Sequence, residues 1–359
     1  MSDVSHSSTM MTMPERMIAI DAGAGTQDIL IYEVGKPYEN LTKLVLPSQT
    51  QIVGRRIREV TRAGLPLHLT GTVMGGGASS DAVKGHLAAG LPVSATPSAA
   101  RTMHNDLARV EAMGIELCDE APAGAAVVQM ADLDPEGLRA GLAQFGVELP
   151  EYAAVAVQDH GYRPGSGNNE VRFEYLQSLI ADGGRLENMV FAAPPDGMTR
   201  MAGVQQSWPG AWLMDTGTAA VMGALGDPMV EYAAEGPGAI LVNVGNMHTF
   251  ATLVRRGRLF GLFEHHTGGI DAPTIARLVD GLRNATLDPA TFREQFDGHG
   301  AAFDEDYRQL DPFQFVAITG PNRGIARSLG FHEAAPHGDM MLTGSFGLVD
   351  AVLARTNRR

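Results

Sequence analysis

The sequence contains one cysteine, Cys118, in 359 residues. A lone thiol closes no disulfide within the chain and falls short of the thiolates an iron–sulfur cluster needs, so a reducing compartment, cytoplasmic by default, is the expected setting. No apolar run reaches membrane-spanning length, and residues 1–16, MSDVSHSSTMMTMPER, contain no apolar core of a signal peptide. They read as a disordered polar leader, with Met13 and Met17 as further candidate starts of the folded chain. Positive charge is scarce: 27 Lys and Arg stand against 41 Asp and Glu, a formal charge of −14. Such a surface repels phosphate backbones and anionic headgroups, which argues against nucleic acid and membrane as partners and leaves a small molecule. Metal-binding spacings of the HxH or HExxH kind are missing as well.

What remains is a globular composition, 44% hydrophobic and 19% charged, in a chain long enough for two domains with a cleft between them. Its organising stretch is residues 17–33, MIAIDAGAGTQDILIYE. An apolar run ends at Asp21, turns through Gly23 and Gly25, and resumes beyond Thr26 as a second apolar run, so it reads as a β-hairpin. Glycines without Cβ let backbone N–H groups approach a phosphate, Thr26 adds a hydroxyl, and Asp21 at the strand end suits a hydrated Mg²⁺. A decorated tight turn is the plainer reading of the same residues.

Downstream, short apolar runs alternate with helical patterns. Strands are expected near 44–46, 67–71, 92–95, 125–130 and 153–158, and helices over 51–62, 82–89, 98–113 and 134–145, which implies a mostly parallel sheet covered by helices. Two loops border the expected cleft: 71–81, GTVMGGGASSD, which suits an anion or is only a connector, and 163–169, RPGSGNN. The prolines and glycines of 192–210 interrupt the alternation, so the lobes are expected at 17–200 and 201–359. Past this break, 211–214 reads as a strand ending in Asp215, 217–225 as a small-residue helix, and 239–264 as a three-strand meander turning at Gly245 and Asn246. Helices over 272–283 and 346–354 and strands at 315–319 and 340–342 complete the pattern.

The order of these elements resembles the superfamily of sugar kinases, heat-shock chaperones and actin, a two-lobed α/β, ribonuclease H-like fold that clamps ATP in its cleft. DAGAGT (21–26) looks like the first phosphate loop, LMDTGTAAVMGAL (213–225) like the connecting helix, ILVNVGNMHTFATLV (240–254) like the second phosphate loop, and MMLTGSFGLVDAV (340–352) like the adenosine motif. The resemblance implies ATP and Mg²⁺ as cofactors: Gly23, Gly25, Thr26, Gly245, Asn246, Gly344 and Ser345 on the nucleotide, and Asp21 and Asn243 on the metal. Asn243 stands where an Asp is usual and Ser345 where a Gly is usual, so the cation depends on Asp21 and the nucleotide's own phosphates. More narrowly, the chain resembles a prokaryotic family labelled as a pyruvate formate-lyase activating enzyme. Radical chemistry of that kind needs three thiolates, which this chain lacks.

A phosphotransferase also needs a carboxylate for the proton of the attacking hydroxyl. The resemblance assigns Asp215 as that base, with helix N-capping as its alternative role, and Asp159 stands second. Asp28 is expected to be a structural turn partner. His160, His265 and His266 are candidate substrate contacts. With His248 and a carboxylate such as Asp159 or Glu264, the histidines also suit a divalent transition metal, although His265 and His266 on one strand point to opposite faces. The readings that follow are an ATP-dependent small-molecule kinase or ATPase, an inert nucleotide- or metabolite-binding protein, and a metal-assisted hydrolase. A homodimer is compatible with each.

Overall fold

The structure, a computed structural model, describes residues 14–165, 170–296 and 299–356. Residues 1–13 of the expected leader and 166–169 of the second loop lie outside them, and Arg16 already belongs to the first strand. An antiparallel meander opens the fold, formed by β1 (Arg16–Ala22), β2 (Thr26–Glu33) and β3 (Thr42–Pro47). An inserted unit follows with β4 (Leu67–Gly71), β5 (Val93–Ala95), β6 (Ile115–Leu117) and β7 (Ala126–Met130). The chain then rejoins the first sheet through β8 (Ala153–Val157), β9 (Val190–Phe191) and β10 (Trp212–Met214). A second meander, β11 (Ala239–Val244), β12 (His248–Arg255) and β13 (Arg258–His266), is followed by β14 (Gly300–Phe303), β15 (Phe315–Thr319) and β16 (His332–Glu333).

The strand orders are β3-β2-β1-β8-β10-β9 in the first sheet and β14-β13-β12-β11-β15-β16 in the second. In each, the first strand pairs antiparallel with the second and parallel with a later one, β1 with β8 and β11 with β15. The same five-strand arrangement is therefore built twice, and two ribonuclease H-like lobes make the actin-like ATPase fold. Composition explains the centre: AAVAV in β8 is buried at all five positions, as a strand covered on both faces requires. The expected parallel sheet divides, because the inserted strands form their own parallel sheet, β6-β5-β4-β7, with a separate apolar core.

Other expectations shift locally. The helix expected over 98–113 is two, Pro97–Ala100 and Leu107–Ala112, since Asp106 caps the second by accepting from Ala108 N. Met340–Leu342 is a 3₁₀ turn instead of a strand, capped by Asp339. The first sheet takes in Trp212–Met214, beyond position 200, and the helix Thr343–Thr356 returns from the second lobe to pack on β1 and on the helix Thr216–Ala224.

Small residues make that last contact possible. A Cβ on Gly223 would stand 1.7 Å from Thr343 O, and one on Gly347 2.0 Å from Ala219 O, so the two helix backbones touch. Gly347→Ala is accordingly expected to destabilise the fold by about 1–3 kcal/mol through overpacking, instead of the gain of roughly 1 kcal/mol typical of Gly→Ala in an open helix. Urea unfolding checks this, and a stabilised variant would contradict the close crossing.

Candidate functional site

Two hairpin turns with the same hydrogen bond face each other. Gly23 N donates to Thr26 O at 2.9 Å between β1 and β2, and Gly245 N donates to His248 O at 2.9 Å between β11 and β12. They meet: a Cβ on Gly25 would stand 3.0 Å from Asn246 Nδ2. Above them opens a cavity of about 810 Å³ walled by both lobes and the inserted unit.

The β1–β2 register sets Asp21 directly opposite Asp28 at its floor. Burial, reinforced by Asp28 and Asp215, raises the Asp21 carboxyl well above the ordinary range. Burial pushes Asp28 up to about 7, against the opposing effect of the Thr26 hydroxyl. One oxygen of each, Asp21 Oδ1 and Asp28 Oδ1, is buried without a hydrogen-bond partner. Paired buried carboxylates with orphaned oxygens fit a hard divalent cation, which would supply the missing ligand and charge. Asn243 lines the cavity too, but its Oδ1 packs over Gly320, where a Cβ would stand 2.6 Å away.

Behind the cavity, Arg172 from the helix Glu170–Ala181 is fully buried. Its Nε and Nη2 donate to Glu264 of β13 at 2.7 Å each, its Nη1 to Asp215 Oδ2 at 2.7 Å, and Nη1 also to Asp159 O at 2.9 Å. Glu264 is held down to about 2: burial opposes ionisation, and the Arg172 guanidinium overrides it. On the inserted side, Arg200 grips Asp132 at 2.7 and 2.8 Å and donates to Gln158 O, while Gly75 N donates to the same Asp132.

Asp21, Gly23, Thr26, Asp159, His160, Asn243, Gly245, Asn246 and Gly344 all border the cavity, as do Gly75–Gly77 of the glycine-rich loop. Other expected residues stand elsewhere. Asp215 is fully buried, accepts from Gly217 N as the cap of its helix and pairs with Arg172, so its carboxylate does not reach the cavity as a base must. Asp159 spends its two oxygens on Gly161 N and Met201 N. Ser345 is buried and donates to Asp28 O at 2.6 Å, and Gly344 packs so tightly that its Cβ would strike the Asp21 carboxylate. His265 turns both ring nitrogens to the backbone carbonyls of His266 and Phe296, away from the cavity. His266, alternating with it, points toward His248 and His299.

Sequence reasoning missed Arg172, Arg200, His299 and the pairing of Asp28 with Asp21. Arg172 had a legible signal: it shares a helix face with Tyr175, Leu176 and Leu179 at i+3, i+4 and i+7, an apolar stripe that exposes no charge. His299 had none, because its neighbours at the cavity come from distant parts of the chain.

The doubled sheet, opposed turns and interlobe cavity define a two-lobed actin-like ATPase-fold protein. The chain belongs to the family described as "Putative pyruvate format-lyase activating enzyme (DUF1786)", which matches residues 74–325. The single cysteine of this chain falls short of the thiolates that an iron–sulfur cluster needs. Among solved structures, the chain is similar to the ethanolamine utilization protein EutJ from Carboxydothermus hydrogenoformans at 12% identity, covering 94% of this chain and 89% of that one, with a TM-score of 0.33. A Bacteroides thetaiotaomicron protein with an actin-like ATPase fold and unknown function matches at 9% identity over 94% and 98%, TM-score 0.35. The PilM–PilN type IV pilus biogenesis complex matches at 10% identity over 96% and 99%, TM-score 0.41. None of the curated proteins compared matches. Scores this low carry no argument, and the fold rests on the strand orders.

Two predictions follow from the charges. Arg172→Met strands two buried carboxylates and is expected to cost about 3–5 kcal/mol in urea unfolding. For Asp28 the folded value of about 7 lies above the unfolded one near 3.8, so its stabilising contribution is complete below the unfolded value and fades as pH rises toward 7. Asp28→Asn is therefore expected to unfold at higher urea than wild type at pH 8 and to lose that advantage at pH 4.

Proposed function

We propose that this protein binds a magnesium nucleotide in the interlobe cavity and transfers or hydrolyses its terminal phosphate, with a small molecule as acceptor. The observation that carries the reading is the meeting of the two glycine turns beside Asp21, whose buried oxygen lacks a partner. Backbone N–H groups of such turns suit phosphate oxygens, and Mg²⁺ takes one or two carboxylates together with phosphates and water. Asp21 and Asp28 would hold the ion, which would neutralise charge on the phosphates. The chain's own part is positioning: the opposed turns hold the phosphate end, and the glycine-rich loop at Gly75 and the Arg101 side chain form the wall where an acceptor would lie.

One observation favours a second reading, in which the ligand is held without turnover. Both carboxylates expected to act as base, Asp215 and Asp159, are engaged in structural hydrogen bonds. Isothermal titration with MgATP tests the common element. Binding is expected in wild type and at least about tenfold weakening in Asp21→Asn, from loss of a charged ligand worth roughly 1.4 kcal/mol or more. No heat with MgATP, or undiminished affinity in Asp21→Asn, would sink the assignment. Phosphate release from the same samples separates turnover from simple binding.

A further inference from the structure

Among the described residues, one group of three side chains is disposed to share a metal ion. His160, His248 and His299 bring ligand nitrogens within 4.8 Å of one another. They come from the loop after β8, the first position of β12 and the residue before β14. Ring centroids stand 5.6 Å apart for His160 and His248, 5.8 Å for His160 and His299, and 4.7 Å for His248 and His299.

The setting favours a cation. Burial lowers the His160 imidazole to about 4 and the His248 imidazole to about 3, which keeps these two rings neutral at neutral pH. Glu264 Oε1 lies 3.7 Å from His248 Nδ1, a charge close to the ring but beyond hydrogen-bond distance. Glu264 belongs to a buried ion group in which one guanidinium faces two carboxylates, leaving an excess negative charge. At His248 the Glu264 carboxylate is the strongest charge and attracts a positive ion.

We propose that His160, His248 and His299 bind a divalent transition metal ion of the zinc class. Their nitrogens need to draw together by little more than about 1 Å to reach zinc–nitrogen distances near 2.1 Å, a shift that side-chain rotation supplies. His160 and His248 border the cavity while His299 lies behind, so the fourth coordination position opens to the cavity and takes water or a ligand oxygen. The site uses none of the residues assigned to the magnesium nucleotide and stands independently of that reading.

The test is zinc titration of chelator-stripped, full-length protein against a chromophoric chelator, with no nucleotide present. Wild type is expected to bind one zinc per chain. His248→Ala, His299→Ala and His160→Gln are expected to weaken binding by more than the roughly 10–100-fold that loss of an outer partner costs. His332→Ala, whose ring sits on Asp227 outside the group, is expected to bind as wild type does. Circular dichroism and the urea midpoint report folding, and His160→Gln alters a ring exposed to the cavity, so it stays informative if the buried variant unfolds. Zinc uptake by none of the proteins, or equal affinity in wild type and His160→Gln, would overturn the proposal.

Discussion

The Arg172 guanidinium is the constraint on which the rest of the site depends. It reaches across the lobes, holding Glu264 at the end of a second-lobe strand, Asp215 at the start of a first-lobe helix and the carbonyl that follows the central strand. An ion group in so dry a place gains little net free energy over an apolar plug, because stripping water from three charges offsets most of their attraction. Its value is geometric. A planar fork with five N–H donors accepts only one relative placement of its partners, whereas an apolar contact tolerates sliding. The mutual position of the two turns and the histidine group is set from this point.

Around that fixed point the cavity is electrically uneven. Its floor has two buried carboxyl groups, Asp21 and Asp28, whose ionisation burial opposes, while its wall has Arg101 and Arg109 from the inserted unit and the paired Arg200 from the helix Thr199–Ser207. The fold supplies the cradle through a hairpin bend repeated at the head of each lobe, and the chemistry is grafted onto it by side chains that need not repeat. Asp21 has Asn243 as its counterpart in the second hairpin, so the charge is concentrated on one side.

Much of the architecture was legible because it is local. β1 and β2 announced themselves through apolar runs broken by glycines, the 239–264 meander through three such runs, and the helix Ala272–Arg283 through its spacing. Position in a sheet was less accessible: the strands at 67–130 alternate with helices as those of the first lobe do, and no local pattern tells which sheet a parallel strand joins. The site was legible at its glycine turns and illegible wherever it is assembled from afar. Asp215 occupies the place expected from its motif, yet its occupation by Arg172 depends on a partner 43 residues away. His299 and His160 are likewise separated by a whole lobe of sequence.

The helix Thr343–Thr356 belongs by contact to the lobe that the chain begins. During synthesis the opening sheet emerges from the ribosome first, yet its covering helix comes last, after every strand of the other lobe. The earliest-made half therefore waits with an uncovered apolar face while the later half completes itself, and birth order runs opposite to the order of completion.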